Sequence, residues 1–92
     1  MIKELMSDED YRVLQEVLLT RPDVGDLVKG SGGLRKVRWS RGAKGKRGGV
    51  RVIYYWVARD DQIFMLYAFS KGRQDDLTPE QLRQLKVIVE RW

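Results

Sequence analysis

Residues 50–69, VRVIYYWVARDDQIFMLYAF, decide the fold. Val50–Val57 is β-branched and aromatic nearly throughout, the composition of a strand half-buried on a pleated surface. Strand alternation puts Val50, Val52, Tyr54 and Trp56 on one face and Arg51, Ile53, Tyr55 and Val57 on the other. Arg59-Asp60-Asp61-Gln62 reads as a tight turn, and Ile63–Phe69 is apolar on both faces, as a central strand would be. The stretch is therefore an antiparallel hairpin.

Working outward, LRKVRW at residues 34–39 also alternates, with Arg35, Val37 and Trp39 on one face and Leu34, Lys36 and Arg38 on the other. Between it and the hairpin, SRGAKGKRGG (40–49) has four glycines, four bases and no bulky apolar residue, so it reads as a loop joining two antiparallel strands. Residues 22–33 read as a connection closed by the GSGG of 30–33. A helix is expected over 7–20, capped by Ser7, with Met6 stapled to Tyr11, acids at 8–10 in its first turn, and an apolar stripe of Tyr11, Leu14, Val17 and Leu18. Pro22 stops it. A last helix begins at Thr78, with Pro79 in its first turn, Gln81 completing a capping box and Leu77 stapled to Leu82. Its buried stripe is Leu82, Leu85, Ile88, Val89 and Trp92. The expected architecture is one α+β domain over residues 1–92, an antiparallel sheet of three to four strands with both helices packed on one face.

Composition narrows the chemistry. Ninety-two residues with 42% hydrophobic and 34% charged describe one small folded domain with a thin core. There is no cysteine and no histidine, which removes disulfides, a thiolate nucleophile, a Cys-ligated zinc site and the commonest neutral-pH base. No cofactor or metal is expected. The N-terminal MIKELMSDED carries no secretory apolar region, and no run approaches a membrane span, so a cytoplasmic protein is expected.

The charge is concentrated. From Lys29 to Arg59 there are ten bases and no acid, while the remaining residues carry a net of −5. Such a block draws polyanions. The bases lie on strands and a Gly-rich loop, not on an amphipathic helix, which favours nucleic acid over a membrane surface. The glycines of 42–49 match neither a dinucleotide fingerprint nor a phosphate-binding P-loop, because a strand follows them and no helix.

The run GSGGLRKVRW, the basic Gly-rich loop, GKRGGVRVIYYWV and IFMLYAFSKGRQDDLTPEQL together resemble the HigB branch of the RelE/ParE toxins of bacterial type II toxin–antitoxin systems. The resemblance covers residues from about 7 to 92. It implies a RelE-like fold and a ribosome-dependent endoribonuclease that cleaves mRNA and stops translation. The ParE side of the superfamily implies instead a non-nuclease inhibitor of DNA gyrase, and an inactive RNA-binding relative is a third reading. A cognate antitoxin is implied as partner, a helix-turn-helix protein like HigA, through which alone operator DNA would be contacted. By position, the resemblance puts catalytic roles on Lys36, Arg38 and Arg51, and on Lys71 and Arg73 after the last strand. Two departures stand out. Where RelE has a catalytic Tyr near its C-terminal end, this chain has Leu77 and Thr78, and the strand that usually precedes the first helix is at most a stub at Ile2–Met6.

RNA cleavage needs no imidazole if the substrate supplies the nucleophile. The 2′-hydroxyl attacks the adjacent phosphorus, and fixed guanidinium and ammonium groups stabilise the charge that builds on the non-bridging oxygens. Lys36 or Lys71 is the candidate base, Arg51 the phosphate contact, and Arg38 or Arg73 the group near the leaving oxygen. Arg41, Lys44, Lys46 and Arg47 suit phosphates of RNA, and Tyr54 is a candidate for base stacking, although strand tyrosines usually belong to a core. The scheme requires the catalytic cations to share one side of the molecule.

Overall fold

The computed structural model describes residues 7–39, 50–70 and 76–91. Their order is α1 (Asp8–Thr20), β1 (Asp26–Leu27), β2 (Leu34–Trp39), β3 (Val50–Val57), a 3-10 turn at Ala58–Asp60, β4 (Gln62–Ser70) and α2 (Pro79–Glu90). The strands form one antiparallel sheet in the order β1-β2-β3-β4. This is the expected α+β fold, with a fourth, two-residue strand inside what read as a plain connection. Among the described residues no helix is long and apolar enough to cross a membrane.

Both helices start where the sequence places their caps. The Ser7 hydroxyl accepts the Asp10 N–H at 3.0 Å. At α2 the Thr78 hydroxyl accepts the Gln81 N–H at 3.1 Å and the Gln81 side chain accepts the Thr78 N–H at 3.0 Å, a complete capping box.

Two expectations about the layers are corrected. The helices do not share a face. Leu14 and Leu18 of α1 pack with Val37, Val50, Val52, Tyr54 and Ala68, whereas Leu85 and Val89 of α2 pack with Leu34, Ile53 and Phe69. Neighbours along a strand point to opposite sides, so these two clusters lie on opposite faces of the sheet. With apolar residues on both faces of β3, one helix alone would have left a row of them in water. The second correction concerns β4. It is the outer strand of the described sheet and β3 the inner one. Its continuous apolar character fits a strand contributing to both clusters, with a bulge opposite Ile53/Tyr54 that puts Leu66 and Tyr67 both with the α2 cluster.

The α2 stripe is narrower than expected. Leu85 and Val89 are buried and Leu82 half-buried, but Ile88 is 41% exposed, because the helix is rotated to centre Leu85 and Val89 on the sheet. Met6 and Trp92, expected as a staple and a stripe residue, lie outside the described residues.

The connection from α1 to β2 is tied to the core through Tyr54. Its hydroxyl accepts the Gly25 N–H at 2.9 Å and donates to the Pro22 carbonyl at 2.7 Å. Gly25 is required there, since a Cβ would sit 2.8 Å from that hydroxyl oxygen and 3.0 Å from the Lys36 carbonyl oxygen. The buried Ser31 hydroxyl donates to the Val28 carbonyl and accepts the Leu34 N–H, fixing the GSGG turn just before β2.

Candidate functional site

The β2–β3 register places the basic residues. Arg38 is directly opposite Arg51 and Lys36 opposite Ile53. Directly opposed residues in an antiparallel pair point the same way, so Lys36, Arg38 and Arg51 share the face that carries Leu34, Ile53 and Phe69. This is the α2 face. The helix covers Leu34 and Ile53, and the cations occupy the end of the sheet nearest the start of α2.

Asp76 ties that start to the cations. Lys36 Nζ donates to Asp76 Oδ1 at 3.1 Å, and the same carboxylate oxygen accepts the Leu77 N–H at 2.8 Å. Burial pushes the Asp76 carboxyl pKa up. The Leu77 N–H, the Lys36 ammonium and the Arg51 charge outweigh that and hold it below the ordinary value. Asp76 is thus an ionised partner at neutral pH. The positive end of the α2 dipole opens three residues later, at Pro79.

Tyr67 stands on the same face, paired with Ile53, and its hydroxyl accepts the Gln81 Nε2 hydrogen at 2.9 Å. In the row Lys36–Ile53–Tyr67 it is two strands from Lys36, about 10 Å. Sequence reasoning missed Asp76, Tyr67 and Gln81. The only signal was that Asp76 falls just ahead of the Leu77-Thr78 cap. Those two residues, which stand where a catalytic Tyr was sought, serve the fold: Leu77 packs with the α2-side cluster and Thr78 caps the helix.

Other candidates fall elsewhere. Tyr54, considered for base stacking, is 0% exposed and belongs to the core on the α1 face, so it presents no ring surface to a base. Arg35 is on that opposite face as well, donating to the Gly25 carbonyl at 2.8 Å and lying over the Trp56 ring at 6.0 Å. Arg41, Lys44, Lys46, Arg47, Lys71 and Arg73 lie outside the described residues.

The arrangement is an open surface with three cations and one carboxylate. Arg38 is exposed, and Lys36 and Arg51 are half-buried, so the positions of the latter two are partly fixed by packing. Chemically it can hold a phosphate between two guanidinium groups, with an ammonium–carboxylate pair alongside. Among the described residues no cluster of acids has the composition of a metal site. Residues 12–92 match the family model described as the RelE toxin of the RelE / RelB toxin–antitoxin system.

Proposed function

Because the chain belongs to the RelE toxin family of toxin–antitoxin systems, we propose that it is a HigB-like endoribonuclease that cuts mRNA on the translating ribosome and so stops protein synthesis. The observation that supports this reading is the Arg38–Arg51 pair with Lys36 on the same face. A surface of this kind is suited to a phosphodiester whose charge grows during attack.

In this mechanism the 2′-hydroxyl oxygen bonds to the adjacent phosphorus and the bond to the 5′-oxygen breaks. The products are a 2′,3′-cyclic phosphate and a 5′-hydroxyl fragment. Arg51 and Arg38 take the non-bridging oxygens, and Lys71 and Arg73 complete the set. The Lys36 ammonium donates a hydrogen bond to Asp76. In that contact it is placed to hold negative charge or to protonate the leaving oxygen. It is poorly placed to act as the base proposed from sequence. Asp76 is the carboxylate available in the described site to accept the 2′-hydroxyl proton. Its lowered pKa makes it a weak base, which fits an enzyme that relies on the ribosome to align the RNA. Alignment is worth up to about 7–11 kcal/mol. No metal enters this chemistry. The basic loop residues Arg41, Lys44, Lys46 and Arg47 contact RNA phosphates, and a helix-turn-helix antitoxin in the same cytoplasm neutralises the toxin and carries any contact with operator DNA.

The test is induction of the full chain in growing cells followed by mapping of mRNA 5′ ends, with Arg51→Ala in parallel. In-frame cuts with 5′-hydroxyl ends, absent with Arg51→Ala, are expected. Intact mRNA together with loss of gyrase supercoiling would overturn the proposal in favour of a ParE-like inhibitor, and absence of growth arrest would leave an inactive RNA-binding relative.

A further inference from the structure

The segment that opens α2 is moored to the sheet from two sides. From β2, Lys36 Nζ donates to Asp76 Oδ1 at 3.1 Å. From β4, the Tyr67 hydroxyl accepts a hydrogen from Gln81 Nε2 at 2.9 Å. Hydrogen bonds and chain link these two points. The Asp76 oxygen that meets Lys36 also accepts the Leu77 N–H at 2.8 Å. The next residue, Thr78, donates its N–H to Gln81 Oε1 at 3.0 Å, and its hydroxyl accepts the Gln81 N–H at 3.1 Å. The Gln81 amide therefore serves the cap with its oxygen and Tyr67 with its nitrogen, and turning it over would lose both contacts.

We propose that Tyr67 is a positioning residue of the cation surface: through Gln81 and the Thr78 cap it holds the Asp76 carboxylate on Lys36. The proposal rests on the RNA-cleaving reading above and gives that reading the residue that fixes its proton acceptor. Apolar contacts do not achieve this alone. Leu85 and Val89 are buried against the sheet, but Leu85 lies six residues, about 9 Å, along the helix from Pro79. Leu77 and Leu82 pack nearer the start, yet such contacts are non-directional and let the first turn rotate and slide. The Asp76 side chain is 60% exposed, so packing does little to hold it. A hydrogen bond is stricter. One made at 2.9 Å no longer counts at about 3.6 Å, so the Tyr67–Gln81 contact confines the first turn to less than about 1 Å of drift. Tyr67 suits the task because its ring packs in the α2-side cluster, its centroid 6.0 Å from that of Phe69, and its backbone pairs with Ile53 in the ladder. The hydroxyl is carried on a fixed ring.

The experiment uses the full chain, with Tyr67→Phe, which keeps the ring and removes the hydroxyl, and Tyr54→Phe as the control. The control loses a hydroxyl of the same kind on the α1 face, so an effect of lowered stability alone appears in both. The first readout is the titration of the Asp76 carboxyl carbon by NMR, which needs no RNA. Burial raises the pKa of that carboxyl, and the Leu77 N–H, Lys36 and Arg51 outweigh it. In Tyr67→Phe the midpoint should rise toward the ordinary aspartate value of about 3.9, and in Tyr54→Phe it should stay. The second readout is single-turnover mRNA cleavage on ribosomes, which should fall by about 10- to 100-fold in Tyr67→Phe with mRNA binding unchanged. Thr78→Ala breaks the same path one step on, so the two changes together should move the Asp76 midpoint by less than their sum. A midpoint unmoved by Tyr67→Phe, or moved as far by Tyr54→Phe, overturns the proposal. So does full additivity with Thr78→Ala. A moved midpoint with cleavage at the parent rate upholds Tyr67 as the residue that places Asp76 and overturns Asp76 as the proton acceptor. Absence of cleavage by the parent chain overturns the endoribonuclease reading alone, and the Asp76 midpoint still decides for or against Tyr67.

Discussion

Arg38 and Arg51 stand directly opposite one another across β2 and β3, on the face that also carries Lys36. Like charges in that position disfavour the sheet by roughly 0.2–1 kcal/mol. The Asp76 carboxylate, whose pKa responds to Arg51 as well as Lys36, offsets part of that repulsion. A phosphate held between the two arginines, as proposed above, would offset more.

Replacing Arg38 by Ala separates the two effects. We expect thermal stability to be unchanged or raised by a few tenths of a kcal/mol as the repulsion is removed. RNA cleavage should fall by about 100-fold or more, the loss typical of a missing oxyanion donor. A thermal melt together with a single-turnover cleavage assay on ribosomes reads both, and cleavage at the parent rate would remove Arg38 from the site.

Asp76→Asn breaks the ion pair with Lys36 while keeping the side-chain size. The carboxyl pKa is lower in the folded state, so its stabilising contribution is complete above the ordinary aspartate value, about 3.9, and is lost as pH falls through the lower folded value. The side chain is 60% exposed, which limits the effect to under about 1 kcal/mol. Acid unfolding of the variant should therefore flatten between about pH 2 and 4. The acid limb of its pH–cleavage profile should disappear if Asp76 takes the 2′-hydroxyl proton.

Tyr54→Phe removes the hydroxyl that ties Pro22 and Gly25 to the core. The Gly25 N–H and Pro22 carbonyl lose their partner, at about 1–3 kcal/mol in chemical denaturation. Burial is the main cause that raises the Tyr54 pKa, ahead of the opposing Gly25 hydrogen bond and Arg35 charge. Its contribution is complete below the unfolded value of about 10 and is lost as pH rises through the folded value. The parent should therefore lose stability above about pH 10 more steeply than the variant. Cleavage at a permissive temperature should be kept, because the ring lies on the opposite face from the cations.

Thr78→Ala tests how far the site depends on α2. Loss of the cap should cost about 1 kcal/mol. It should also loosen Asp76 against Lys36, two residues upstream, so a larger fall in cleavage than in melting temperature is expected. Thr78→Ser, which keeps the hydroxyl, should restore both.

The sequence by itself determined every described element except the two-residue β1. It also determined both helix starts and the fact that Lys36 and Arg38 point the same way. All of these follow from interactions within a few residues: a hydroxyl three positions before an N–H, a period of two along a strand, β-branched residues in a run. It could not determine that Arg51 joins the other two, because that depends on the parity of a register set across the residues 40–49 loop. A slip of one residue would have sent Arg51 to the α1 face. The same non-local choice buried Tyr54 against Pro22 and Gly25, put the two helices on opposite faces, and turned Ile88 outward while Val89 packed. Asp76 was beyond reach for a related reason. It lies forty residues from Lys36, and only the docking of α2 on the sheet face brings its carboxylate within 3.1 Å of the ammonium.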